Sequence, residues 1–192
     1  MKRLFAMSVT WAVAACPVGV SAKDSIPANV TLRGNHVMDS VDWSFSPDKP
    51  IEFTRLKRCV AVTMKNDQIQ LSDAAGSFVG PATGMYYQNH NYSTVAAQGV
   101  FKVIDEPGKF LVAQGWIDKP VFAFRWIIRY DLELGLESGR VTMVMRHIQL
   151  AMSNTGSSSN DGFGDLLTSY RFRQNYASLE DAARAMRSCI VQ

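Results

Sequence analysis

The chain has 192 residues, of which 47% are apolar and 19% are charged, with 20 Lys and Arg against 17 Asp and Glu. This composition is typical of a globular domain and excludes a disordered chain, a collagen-like repeat, a disulfide-dense miniprotein and a multi-pass membrane protein. Since we find no internal repeat and no linker, we expect one domain over residues 23–192 after an N-terminal targeting segment.

Residues 1–22 have the pattern of a secretory signal peptide. Two basic residues precede an uncharged stretch, residues 4–15, which is shorter than the roughly 20 apolar residues needed to span a bilayer. The small residues of Val20-Ser21-Ala22 favour cleavage before Lys23. We therefore expect an exported protein, periplasmic or secreted, whose mature chain has no transmembrane span.

A second interpretation of the same segment changes how the protein is held in the envelope. Val13-Ala14-Ala15-Cys16 resembles a bacterial lipobox, in which Cys16 receives a lipid. The chain would then be an outer-membrane lipoprotein. The sequence leaves both interpretations open.

Removal of the signal peptide also removes Lys2 and Arg3. The formal net charge of +3 then falls to +1, because 18 positive side chains remain against 17 negative ones. So small a net charge provides no electrostatic basis for binding nucleic acid, and we expect the chain to bind none.

Under either interpretation, Cys59 and Cys189 are the only cysteines left to pair with each other. An even number of cysteines in an oxidising compartment predicts a disulfide bond, here across 130 residues. In the chain-entropy model, a loop of this length stabilises the folded state by about 5 kcal/mol. The alternative is two separate buried thiols.

The first half of the mature chain contains several strand patterns. We expect a strand at Val37–Phe45 and a hairpin in which residues 59–64 pair with residues 68–71. A loop of small residues follows at 72–84, and residues 85–92 start another strand.

Two further hairpins are predicted in the second half. Residues 100–104 pair with 109–116, because Pro107 and Gly108 suit the central positions of a turn. Beyond them, most odd positions of residues 122–136 are polar and all even positions are apolar. The apolar residues at the even positions are Phe122, Phe124, Trp126, Ile128, Tyr130, Leu132, Leu134 and Leu136.

This alternation predicts a long strand with one buried and one solvated face, which bends, bulges or breaks early near Phe124. After a turn at Ser138-Gly139, residues 140–150 form its partner strand, and residues 153–165 form a polar loop.

The chain ends in a predicted amphipathic helix. Ser178 opens it, with Asp181 completing a capping-box-like pattern. Cys189 lies at the edge of its apolar stripe, so the disulfide would tie this helix to a strand that begins at Cys59. The apolar residues with helical spacing are Leu179, Ala182, Ala183, Met186 and Ile190.

Together these elements predict an α+β fold, a curved antiparallel sheet built as a meander of hairpins, with the C-terminal helix packed on one face. Residues 99–150, with the glycine-ended strand 109–115 and the Gly139-Arg140 opening of the next strand, resemble an exported bacterial family of unknown function. That family has a TATA-box-binding-protein-like fold. The resemblance implies a curved sheet and no activity, and this chain departs from the pattern because no clear helix precedes Val100.

The sequence contains no recognisable catalytic motif. No two of His36, His90 and His147 have metal-ligand spacing, and we expect no catalytic residue, no metal and no cofactor. The enzymatic alternative is a hydrolase whose site is assembled from distant residues, such as His90 or His147 with an aspartate.

Four aromatic residues form the candidate ligand or interaction face. They are Trp116, Phe122, Phe124 and Trp126. Burial in the core is the alternative for these side chains. The leading hypothesis is thus a non-catalytic binding or structural module whose partner is an unknown protein or small molecule of the cell envelope.

Overall fold

The computed structural model describes residues 26–121 and 124–192. The predicted signal peptide, Cys16 and Phe122 lie outside the described residues. In chain order the elements are β1 (Val30–Arg33), β2 (Val37–Phe45), α1 (Phe53–Thr63), β3 (Ile69–Asp73), β4 (Phe78–Val79), β5 (Tyr86–Tyr87), β6 (Asn91–Val95), β7 (Phe101–Asp105), β8 (Phe110–Val121), β9 (Phe124–Glu137), β10 (Arg140–Met152), β11 (Gly164–Asp165) and α2 (Phe172–Val191).

The main sheet has seven strands. Six follow the order β1-β2-β10-β9-β8-β7, and β11 pairs with β10 at the side. β3-β6 and β4-β5 form two further small sheets. Every pairing within these sheets is antiparallel. The predicted α+β class, an antiparallel sheet with a C-terminal helix, is therefore confirmed.

β9 is the central strand of the predicted pattern. It begins at Phe124, where the early break was expected, and it pairs with both β8 and β10. Ile128, Leu132 and Leu134 are buried, whereas Glu137 is exposed. The alternation thus holds along most of the strand, and it fails at Phe124, which is 54% exposed.

The predicted strand at residues 59–64 is wrong, because these residues belong to helix α1 and its C-terminus. Phe53, Leu56 and Val60 recur at spacings of three and four, which places them on one helix face, and all three are buried. The β-branched residues of this segment favour a strand locally, but burial of the apolar face against the sheet outweighs that preference. A helix therefore does precede Val100, contrary to the sequence interpretation.

The C-terminal helix α2 begins at Phe172, before the expected start at Ser178. The Ser178 hydroxyl donates to the Gln174 carbonyl oxygen within the helix at 3.0 Å, so it does not cap the helix. The first residues of the helix supply Phe172 and Asn175 to the buried side.

Both helices cover the same face of the main sheet, and their apolar sides close one large core. Tyr130 lies in this core, and burial raises the pKa of its hydroxyl to about 12. The strands contribute Met38, Val41, Leu111, Ala113, Ile128, Leu132, Leu134, Val141, Met143 and Met145; the helices contribute Leu56, Val60, Leu179, Ala183, Met186 and Ile190.

Cys59 of α1 and Cys189 of α2 face each other across the helix pair. Their sulfur atoms are 2.09 Å apart, at disulfide distance. The expected partners are thus joined, but helix to helix and not helix to strand. Arg55 adds a polar tie, since its guanidinium donates to the carbonyl oxygens of Cys189 and Ile190, both at 2.8 Å. These last-turn carbonyls have no partner within the helix.

A second, smaller apolar cluster lies on the opposite face of the main sheet. Ile69 and Leu71 of β3 pack there against Ile127 and Ala151. The β3-β6 hairpin therefore covers one end of this face. Within the described ranges, neither helix has the length and apolarity needed to cross a membrane.

Replacing both cysteines, Cys59→Ser with Cys189→Ser, should lower the free energy of unfolding by about 2–5 kcal/mol, because the unfolded chain regains the freedom that the cross-link removes. Denaturant titration with and without a thiol reductant measures the effect. The reductant should destabilise the natural chain by the same amount and leave the double variant unchanged. Equal midpoints for the oxidised natural chain and the double variant would contradict this role.

Candidate functional site

The structure does not bring the four predicted aromatic residues onto one face. Trp116 is the cross-strand partner of Arg129, whereas Trp126 pairs with Lys119. Since neighbouring residues of β9 point to opposite faces, the two tryptophans lie on opposite sides of the sheet. Phe124 is exposed beside Trp126.

The two tryptophans also have different surroundings. Trp116 packs on the second apolar cluster, and its ring nitrogen donates to the Asp67 carbonyl oxygen at 3.2 Å. Trp126 contacts the ring of Tyr170, with centroids 5.3 Å apart. Beside Trp126, burial and the nearby charge of Arg171 lower the pKa of Lys119. These contacts give both rings a packing role.

A polar cluster centred on Asp131 lies on the sheet face opposite the helices. The Asp131 carboxylate accepts from Lys102 Nζ at 2.6 Å and from Gln114 Nε2 at 3.2 Å, both on Oδ1. His147 Nδ1 lies 2.9 Å from Oδ2. The Asp131 side chain is only 12% exposed, and a carboxylate so placed requires such partners to offset its lost hydration.

His147 occupies a distorted position in β10. The pairing of β10 with β9 shifts register between Arg146 and Gln149, and His147 has a φ of 50°. Such bulges redirect side chains and occur next to active sites. Here the bulge turns the imidazole toward Asp131 while leaving 78% of the side chain exposed.

The pair formed by Asp131 and His147 has one element of hydrolase chemistry. A carboxylate that accepts from Nδ1–H leaves Nε2 of a neutral imidazole as a proton acceptor facing solvent. The other hydrogen-bond partners of the Asp131 carboxylate are Lys102 and Gln114. Neither side chain carries the hydroxyl or thiol that a nucleophile would need. Within residues 26–121 and 124–192, no group of three His, Cys, Asp or Glu side chains is placed to hold a metal ion.

The other two histidines are not brought to this cluster. His36 Nδ1 contacts the Gly34 carbonyl oxygen in the turn between β1 and β2, and His90 is exposed beside β6. The enzymatic alternative therefore rests on His147 and not on His90. The apolar positions of β10 change from odd (Met143, Met145) to even (Ile148), and this change of phase is a sequence signal for the bulge.

The most unusual surface is the segment 73–92, here called the aromatic hairpin. It contains the β4-β5 ribbon and exposes six large apolar side chains, each at least 45% exposed, none of which belongs to either core cluster. They are Phe78, Val79, Met85, Tyr86, Tyr87 and Tyr92. No Lys, Arg, Asp or Glu occurs between Asp73 and Lys102. From sequence alone, residues 72–84 are predicted as a loop and residues 85–92 as the start of a strand.

A polar network fixes the base of the aromatic hairpin to the domain. Asp73 accepts from Asn91 Nδ2 at 2.7 Å and from the backbone N–H groups of Ala75 and Asn160 at 2.9 Å. These bonds, above all the one from Asn91, hold the pKa of the Asp73 carboxyl below its usual value of 3.8. The Ala74 N–H also donates to the Gly156 carbonyl oxygen at 2.6 Å.

The comparisons with known proteins assign no family and no activity. No protein family profile matches the chain, and no curated protein matches it. Among solved structures, the chain is similar to a DUF4468 family protein from Bacteroides ovatus. The identity is 10%, the alignment covers 85% of this chain and 88% of that one, and the TM-score is 0.42. So low a score supports no argument, and the TATA-box-binding-protein-like fold is not confirmed.

Asp73→Asn should loosen the base of the aromatic hairpin, because a neutral amide accepts hydrogen bonds more weakly than a carboxylate. Amide hydrogen exchange at Ala75 and Asn160, corrected for intrinsic rates, should become severalfold faster near neutral pH. Because the folded-state pKa is lowered, the natural chain keeps this stabilisation above about pH 4 and loses it as the pH falls through the folded-state value. Asp181→Asn, a change on the exposed side of α2, is the matched control; equal exchange in all three proteins would exclude the role of Asp73.

Proposed function

We propose that the chain is an exported protein of the cell envelope that acts as a non-catalytic binding module. The observation that carries the proposal is the Cys59–Cys189 pair at disulfide distance, because structural disulfides persist in oxidising compartments and are rare in the cytosol. The basic and apolar pattern of residues 1–22 supports export from the sequence alone.

A binding role, rather than a catalytic one, is supported by how the surface groups are satisfied. The Asp131 carboxylate is already bound by side chains of neighbouring strands, Lys102, Gln114 and His147. Its polar groups therefore have a structural role in the sheet. The aromatic hairpin is the opposite case, since its exposed apolar side chains pack on neither core cluster. Contiguous exposed apolar surface marks an interaction site. The proposed partner is therefore a component of the envelope that contacts this hairpin.

A hydrolase is the second candidate, and the contact between Asp131 and His147 is the observation that favours it. The carboxylate orients the imidazole, and the exposed ring nitrogen can take a proton from a nucleophile or water. The exposure of His147 counts against it, because hydrolytic sites gain from excluding water.

Export can be tested in cells by rapid acid quenching, thiol alkylation and mass spectrometry of each cell fraction. The expected product is a chain that begins at Lys23, has Cys59 joined to Cys189, and occurs in the periplasm or the medium. Cys16→Ser should not change this distribution. Loss of membrane association in Cys16→Ser would establish the lipoprotein alternative, and an intact, reduced chain in the cytoplasm would contradict export.

His147→Asn separates the binding module from the hydrolase. Asparagine tolerates a positive φ, so the bulge is retained while the proton acceptor is lost. We expect equal rates of p-nitrophenyl acetate hydrolysis by the natural chain and the variant. A loss of about 100-fold or more, the range of a general acid–base group, would instead assign catalysis to His147. His90→Asn is the matched control.

A further inference from the structure

The β4-β5 ribbon of the aromatic hairpin is apolar on both of its faces. Phe78 lies opposite Tyr87 and Val79 lies opposite Tyr86 in the antiparallel register. Because successive residues of a strand point to opposite sides, the first pair occupies one face of the ribbon and the second pair the other. The rings of Phe78 and Tyr87 are stacked, with centroids 5.0 Å apart.

Exposure on both faces restricts what can cover the ribbon. All four of these side chains are 45% to 61% exposed, and Met85 in the connecting turn is 62% exposed. A flat protein surface can cover only one side of a ribbon. A medium that surrounds the ribbon removes both apolar faces from water at once, so the shape favours insertion over lateral contact.

The charge distribution indicates which medium this is. The absence of ionisable Lys, Arg, Asp and Glu side chains from residues 74–101 removes the largest cost of leaving water. It also removes any attraction to anionic headgroups. Tyrosine rings suit the boundary between headgroups and acyl chains, because one end is apolar and the other is a hydroxyl.

The backbone of the ribbon limits how deep it can go. β4 and β5 form a separate two-stranded sheet whose outer edges have no strand partner among the described residues. Unpaired backbone groups are excluded from the hydrocarbon centre of a bilayer but are tolerated near the headgroups, where water is present. A depth of about 5–10 Å is typical of interfacial segments.

We propose that the aromatic hairpin is a wedge that inserts both faces of the β4-β5 ribbon into the interface of an electrically neutral lipid bilayer. This deepens the proposed function, on which it rests for the chain's access to envelope lipid. The network at Asp73 keeps the wedge oriented before contact, so less conformational freedom is lost on insertion.

The test is sedimentation of the purified chain with phosphatidylcholine vesicles. One double variant, Phe78→Ser with Tyr87→Ser, removes one face, and another, Val79→Ser with Tyr86→Ser, removes the other. We expect each to lower the partition coefficient by about tenfold, because apolar surface of this size is withdrawn from the interface. Adding phosphatidylglycerol or raising the salt concentration should change the natural chain's partitioning less than twofold.

The matched control is Val62→Ser with Val103→Ser, two valines that are 69% and 50% exposed elsewhere on the domain. This variant should bind as the natural chain does, and all proteins compared carry the same N-terminal residues. Thermal unfolding and circular dichroism should be alike for every variant, since the ribbon belongs to neither core. Tyr86→Trp adds an independent measurement, because brominated phosphatidylcholine should quench its added emission.

Several outcomes would overturn the wedge. The first two are that the natural chain fails to sediment with neutral vesicles, or that it requires anionic lipid. A third is that only one of the two double variants loses binding, which would indicate a protein surface as the occupant. A fourth is that the natural chain is a dimer that either double variant dissociates, which would indicate a second copy of the chain. The assay uses purified protein and so does not depend on export. If the protein is exported and oxidised but does not sediment with vesicles, the wedge alone is refuted. If it binds vesicles but is found reduced in the cytoplasm, the proposed function alone is refuted.

Discussion

Burial of one face of β9 beneath two cross-linked helices is the constraint on which the rest of the structure depends. Leu132 and Leu134 are buried on that face, and strands on both sides of β9 extend the same apolar layer. α1 and α2 cover this layer together, with Cys59 and Cys189 at their contact. Because the helices cover this side of the sheet, the Asp131 cluster lies on the other.

The polar face shows what that division requires. Asp131 lies on the strand that carries the core, so its carboxylate is only slightly exposed and needs donors from its neighbours. Lys102 comes from the edge strand β7, and His147 is supplied by a bulge in β10. With Gln114 of β8, the cluster therefore couples four strands on one face. Its geometry is accounted for by burial, and only the outward-facing imidazole nitrogen is left over for other chemistry.

How much the sequence could predict depends on whether neighbouring residues or distant ones decide the structure. The alternation in β9 and the turns at Pro107-Gly108 and Ser138-Gly139 are local, and strands β7 to β10 are where they were expected. The pairing of Cys59 with Cys189 followed from counting, yet the element that carries Cys59 did not. The sequence predicts a strand in place of part of α1 because Val60 and Thr63 favour strands locally, while the helical spacing of Phe53 and Leu56 is satisfied only against a distant sheet.

The same distinction explains the candidate sites. The four aromatic residues were grouped from their closeness in sequence, but the strand alternation that predicted β9 also places Trp116 and Trp126 on opposite faces. The partners of Asp131 come from positions up to 29 residues away, which no short motif reports. The absence of charge between Asp73 and Lys102 was visible in the sequence. Its meaning depended on knowing that the intervening aromatic residues are exposed.

Stability of the fold does not account for the aromatic hairpin. Its polar base is satisfied by Asp73, Asn91 and Asn160, and so the domain gains a fixed attachment from that end. The apolar ribbon adds no comparable stability, because its exposed side chains belong to neither core cluster. Apolar surface exposed to water is unfavourable for an isolated molecule. A segment that combines an ordered polar base with an uncharged, two-sided apolar end therefore has its favourable state only where the chain meets another phase or another molecule.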